Sequence, residues 1–149
     1  MAQTVAPAKA SHYRVRAPLL KEGRMDTVMA ETDNMQVRVK VYAQGGENAL
    51  HTHLDQDHTF VVLQGQARFW DETGAEQVYG RNEGIMLPRG AYYRFESCGD
   101  VPLVMLRVAA RNGKRTGDDR IGPDGKPLPG DSAENFHVEP VVIEGAFYE

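Results

Sequence analysis

From Met35 to Val41 the chain alternates residue by residue, with Met35, Val37, Val39 and Val41 set against Gln36, Arg38 and Lys40. A period of two puts each set on its own face of an extended strand, so apolar and polar residues look in opposite directions. The same grammar recurs downstream. A strand pattern passes through His51-Thr52-His53, another covers residues 59–63 up to the turn Gln64-Gly65-Gln66, and residues 67–70 follow at hairpin distance. Turn signals at 71–74 and 80–84 bracket a short run at 77–79, and residues 85–87 lead into Pro88-Arg89-Gly90. Residues 91–96 and 103–109 complete the series. About eight strands with turns every 8–12 residues predict a β-sandwich or barrel. No amphipathic stretch is long enough to build a helical layer, so the expected fold class is all-β.

The 149 residues suffice for one domain whose core needs no disulfide or structural metal to fold. A net charge of -4 and a pI near 5.7 argue against a nucleic-acid partner, which calls for a basic patch or stripe. Cys98 is the single cysteine and has no partner for a disulfide, which makes the reducing cytoplasm the expected compartment. No run approaches the roughly 18–20 apolar residues of a membrane span, and the first ten residues lack the h-region of a signal peptide. Residues 1–12 read as a flexible leader, 13–110 as the β-barrel, and 111–149 as a loop-rich extension packing on it. In 111–132, Gly113, Gly117, Gly122, Gly125 and Gly130 with Pro123, Pro127 and Pro129 stand among many charges, a composition that predicts neither strand nor helix. Apolar residues return at 136–138 and 140–143, where they could add an edge strand or cover the barrel mouth.

Three of the five histidines, His51, His53 and His58, fall within eight positions. Residues two apart on a strand share a face, so His51 and His53 can present ring nitrogens to one ion. On its own such a pair is more often exposed or hydrogen-bonded than metal-binding. The frame around it adds information: Gly45, five residues, His51-Thr52-His53, four residues, His58, six residues, Gly65. This resembles the first motif of the cupin superfamily, and residues 82–95, with Pro88-Arg89-Gly90 and a strand starting two residues later, resemble the second. The resemblance spans residues 35–110 and implies a cupin-type jelly-roll β-barrel. It departs from the family pattern at three positions. His58 stands where the family usually has Glu, Tyr93 where it usually has a fourth ligand His, and Asn82 where it usually has Gly.

The resemblance implies a divalent metal on His51, His53 and His58, with Asp57 the rival for the third place. Fe(II) is the first choice and Zn(II) or Mn(II) the second, since imidazole suits several of these ions. Three neutral imidazoles leave the ion's charge uncompensated, so the substrate is expected to be a small anionic or enolisable organic molecule. Tyr93 is either a phenolate ligand or a catalytic acid or base. A non-haem Fe(II) dioxygenase is the leading expectation. A Zn/Mn isomerase or lyase, or a non-catalytic small-molecule binder, is the alternative, and a homodimer is expected from edge strands.

Strand parity turns Phe60, Val62 and Phe95 inward, as pocket wall or plain core. One of Phe69 and Trp70 also faces in. Arg38 and Arg107 could hold a substrate carboxylate if they point inward, and Arg107, interrupting the apolar series Leu103, Met105, is the more suspicious. Cys98 reads as inert, and His12 and His137 as surface histidines.

Overall fold

The computed structural model describes residues 1–2, 4–44, 48–113 and 119–149. Gly45, the opening position of the first motif, and Gly117 lie outside the described residues. The described chain forms β1 (Ala17–Glu22), β2 (Arg24–Glu31), β3 (Met35–Tyr42), β4 (Thr52–His53), β5 (Gln56–Gln64), β6 (Ala67–Trp70), β7 (Glu76–Tyr79), β8 (Gly84–Leu87), β9 (Arg94–Ser97), β10 (Leu103–Arg111), β11 (Arg120–Ile121) and β12 (Val141–Tyr148), with one 3-10 turn at Ala133–Asn135. No helix among the described residues is long and apolar enough to cross a membrane. The strands are antiparallel and make an all-β jelly roll.

The larger sheet runs β2-β3-β10-β5-β8 and the second β7-β6-β9, with two-stranded pairs β1-β12 and β11-β4. Both larger sheets feed one core of Tyr42, Phe60, Val62, Phe69, Leu87, Tyr93, Phe95, Leu103 and Met105. Parity on β10 explains its composition: Leu103, Met105, Arg107 and Ala109 are all buried on the inner face. The outer face of the large sheet is covered too. Val39, Val41 and Val104 pack with Ala17 and Leu20 of β1 in a second core, which frees the polar set of β3 to look inward. Of the two aromatics on β6, Phe69 is the one in the core, while Trp70 is half-buried with the Arg94 guanidinium 3.7 Å above its ring.

Three features differ from the sequence expectation. The described chain has more strands than the eight or so expected, because β1 and β2 carry no clean alternation. Exposed residues in the middle of β2 reflect its place at the sheet edge. The strand through His51 and His53 is only two residues long, and His51 joins Tyr93 through an isolated bridge. A strand also forms inside the Gly/Pro-rich segment, where Arg120 and Ile121 pair with His53 and Thr52. Existing backbone partners override composition there.

Two turns locate the motifs. Gly65 has φ +79°, and a Cβ on it would lie 3.0 Å from the Pro102 carbonyl oxygen, so this corner admits glycine alone without strain. Asn82 takes φ 68°, the left-handed conformation its usual glycine counterpart would supply, and Asn is the residue that tolerates it best after Gly.

Candidate functional site

A cavity of about 620 Å³ opens above the aromatic core, a size suited to a small organic ligand. His51, His53, Tyr93, Phe95 and Arg107 line it, as does Arg38. His58 and Phe60 are buried behind that wall and do not line it. Asp57 points elsewhere: it is half-exposed and accepts a hydrogen bond from the Arg89 backbone N–H at 2.8 Å. His137, expected on the surface, is half-buried on the cavity wall, its Nε2 3.1 Å from Glu139. The surface reading failed because the extension folds back over the mouth, which no local pattern announces.

Reciprocal backbone hydrogen bonds of 3.0 and 2.9 Å tie His51 to Tyr93 and bring their rings to 4.3 Å between centroids. His53 sits between the other two imidazoles, 5.3 Å from the ring of His51 and 5.0 Å from that of His58. The hydrogen bonds decide which nitrogen of each ring carries the proton. His51 Nδ1 is 2.7 Å from the Ala49 carbonyl oxygen, which can only accept, and 3.1 Å from Arg120 Nη2, which can only donate; the shorter contact puts the hydrogen on Nδ1 and leaves Nε2 a lone pair. His53 Nδ1 is 3.1 Å from Asp119 Oδ2 and 3.0 Å from Gln56 Nε2; since that amide donates to the same Oδ2, the carboxylate's negative charge draws the hydrogen to His53 Nδ1 and gives the same tautomer. His58 is the reverse. Its Nδ1 is 2.9 Å from Arg107 Nη2, and a guanidinium can only donate, so the neutral ring carries its hydrogen on Nε2. That Nε2 is buried and has no hydrogen-bond partner among the described residues.

Imidazoles bind metals through a free lone pair, with the other nitrogen donating to an oxygen. His51 and His53 meet that condition. His58 in this arrangement does not, and no group of three or more His, Cys, Asp or Glu among the described residues is arranged to hold one ion. The donor set therefore does not fit a three-histidine metal as it stands.

Charge around the cavity is unbalanced. Arg24, Arg38, Lys40, Arg107 and Arg120 line it against Asp26 and Asp131. Asp26 is committed to Arg38 at 2.7 Å and Lys40 at 3.1 Å; burial works to raise its carboxyl, and the two cations overcome that and hold it at about 2. Arg107 is 6% exposed, and among the described residues neither it nor Arg120 has a carboxylate within ion-pair distance. Arg120 is held by the Leu128 carbonyl at 3.0 Å and Asn135 Oδ1 at 2.6 Å, which leaves its Nη2 3.1 Å from His51 Nδ1. Burial first, then the Arg120 charge, push the His51 imidazole well below its ordinary value, against the hydrogen bond to Ala49. In His53, burial lowers the value while the bond to Asp119 opposes it. Tyr93 is pushed upward by burial, so it is a phenol, and among the described residues its hydroxyl has no hydrogen-bond partner.

Sequence reasoning missed Asp119, Arg120 and Asn135, all contributed by the extension. They sit among Gly, Pro and charge with no period to mark them. Gln56 could have been found, because it shares the inward parity of His58 on β5.

The Cupin domain family model matches residues 38–109. No curated protein matches the sequence at a significant level. Among solved structures, the chain is similar to the cupin domain of Cnp3 from Schizosaccharomyces pombe, at 16% identity and a TM-score of 0.57 over 62% of this chain and 68% of that one. It is similar to KdgF from Halomonas sp., at 16% identity and a TM-score of 0.58 over 70% of this chain and 96% of that one. The DMSP lyase DddQ from Ruegeria pomeroyi aligns at 18% identity and a TM-score of 0.56 over 71% of this chain and 54% of that one. At such identities the structural likeness speaks for the fold alone. With the family match running from β3 to β10 on an all-β jelly roll, residues 38–109 of this chain form a cupin domain.

Proposed function

We propose that this cupin is an enzyme that holds a small organic carboxylate in its cavity and moves a proton on it. The observation that carries the reading is Arg107, a buried guanidinium on the cavity wall with no carboxylate partner among the described residues. Isolated buried charge is costly, and an anionic ligand offsets the cost. Arg120 supplies a second positive charge beside His51.

The chain also carries a base of the right form. Asp119 accepts the Nδ1 hydrogen of His53, which fixes the tautomer and leaves Nε2 as a proton acceptor. The C–H electrons released next to a carboxylate or carbonyl move onto oxygen, where Arg107 and Arg120 stabilise the developing charge. The proton resides on His53 Nε2, with Asp119 stabilising the imidazolium. Return of that proton to a neighbouring carbon gives an isomer. Departure of a β substituent with its bonding electrons, protonated by the Tyr93 hydroxyl, gives an elimination product. Neither route needs an oxidant.

A second reading rests on His51 and His53, whose free Nε2 lone pairs are those of metal ligands. It covers the Fe(II) dioxygenase and the Zn(II) or Mn(II) isomerase or lyase, and it requires a third donor other than His58 as now held by Arg107. Exposed Val141, Val142, Ile143 and Phe147 along β12 support the expected homodimer, which equilibrium sedimentation decides.

Incubation with succinate, malate and pyruvate in deuterium oxide, followed by proton NMR, tests the leading reading. Wild-type protein should exchange a C–H of at least one acid, and His53→Gln should slow that by about 10²–10⁴. Binding without exchange would make the chain a non-catalytic binder, and no binding would remove the reading.

A further inference from the structure

We propose that Arg107 provides the positive charge for which a cupin pocket of this kind would otherwise use a divalent cation, so that the organic anion is bound here without metal. The inference rests on the carboxylate reading above and deepens it. Three observations support it, each independent of the others.

The first is the direction of one hydrogen bond. Arg107 Nη2 lies 2.9 Å from His58 Nδ1, and since arginine has donors only, the third histidine of the motif spends its available lone pair on the guanidinium. Its remaining nitrogen carries hydrogen and is sealed from the cavity. His58 is thereby a positioning residue for Arg107, and not a group that faces a ligand.

The second is placement. Arg107 sits at the middle of β10, paired with Phe60 of β5 on one side and Arg38 of β3 on the other, and lines the same cavity as His51, His53 and Tyr93. A cation entering between those imidazoles would meet a fixed guanidinium, and Arg120 3.1 Å from His51 adds a second. Like charges at such separations repel strongly where water is scarce. The same two groups attract a carboxylate, and a guanidinium matches its two oxygens in one plane.

The third is that Arg107 has no ion-pair partner among the described residues. Asp26 is taken by Arg38 and Lys40, and Oδ2 of Asp119 by His53 and Gln56. Among the described residues neither these two nor Asp131, the other carboxylate on the cavity wall, lies within ion-pair distance of Arg107, which leaves its guanidinium open to the carboxylate of a ligand.

The test uses the full chain, produced without a histidine tag and stripped with EDTA. Titration with Co²⁺, read by visible d–d absorption, should show no saturable site in the wild-type protein. Calorimetric titration with succinate, malate and pyruvate should give the same affinity with and without excess EDTA. Arg107→Met should weaken that binding tenfold or more, with Arg107→Lys, which keeps the charge, falling between. The lysine variant stands in if the methionine variant does not fold. A saturable Co²⁺ site in the wild-type chain overturns the proposal, as does acid binding that EDTA abolishes, or affinity unchanged in the Arg107 variants. If none of the acids binds with or without metal, it is the carboxylate reading that fails, while the Co²⁺ titration still reports separately on the metal.

Discussion

The imidazole of His58 accepts from Arg107 only while it is neutral, and its surroundings keep it so. Burial first, then the charges of Arg107, His53 and Lys40, lower it from the ordinary 6.5 to about 2. The folded value lies below the unfolded one, so this group contributes stability that is fully present above pH 6.5 and is lost as the pH falls from there toward 2. Between those limits the unfolded chain binds the extra proton, and one such group gives a slope of about 1.4 kcal/mol per pH unit. His51, also lowered by burial and Arg120, adds to the same trend. Thermal unfolding between pH 7 and 4.5 should therefore show a melting temperature that falls steadily with acid. His58→Gln, which can still accept from Arg107 through its amide oxygen, should be less pH-dependent over that range. A wild-type melting temperature that rises with acid would refute the neutral-imidazole account.

At the scale of strands and turns, the two motif corners make opposite demands on substitution. Gly65→Val forces a branched residue to φ +79° against the Pro102 carbonyl and should cost about 2–3 kcal/mol by urea unfolding. Asn82→Gly relieves a left-handed residue at an exposed turn and should be neutral or slightly stabilising, whereas Asn82→Val should cost about 1 kcal/mol or more. Equal effects at the two sites would contradict the geometry. Most of the fold was legible from such elements, because β3, β5, β6 and β10 announce themselves by alternation and by the glycines and prolines between them. β1, β2 and β12 were less so. β1 has no regular alternation, while β2 and β12 lie at edges where exposure relaxes the choice of residue, and β12 meets β1 only through the fold-back of the whole chain.

Across the whole molecule, the pocket is assembled from segments far apart in sequence. His53 and Asp119 are 66 positions apart, and His58 and Arg107 are 49. The histidines could be read as a cluster because they share one stretch of chain. Their tautomers could not, because the proton on each ring is set by a partner that sequence spacing does not reveal: Ala49, Asp119 and Arg107. Arg107 itself was visible as a charge breaking an apolar strand face, while Arg120 and Asn135 became visible only once the extension was placed over the cavity. On the proposal made above, the Arg107 guanidinium, buried and without a carboxylate partner among the described residues, receives an organic anion. The most direct measurement is a crystal structure of the EDTA-treated protein with succinate. Carboxylate oxygens within hydrogen-bond distance of Arg107 and Arg120, with Arg107 still donating to His58, are the predicted result. An empty cavity, with Arg107 turned onto a carboxylate of the protein's own chain, would contradict it.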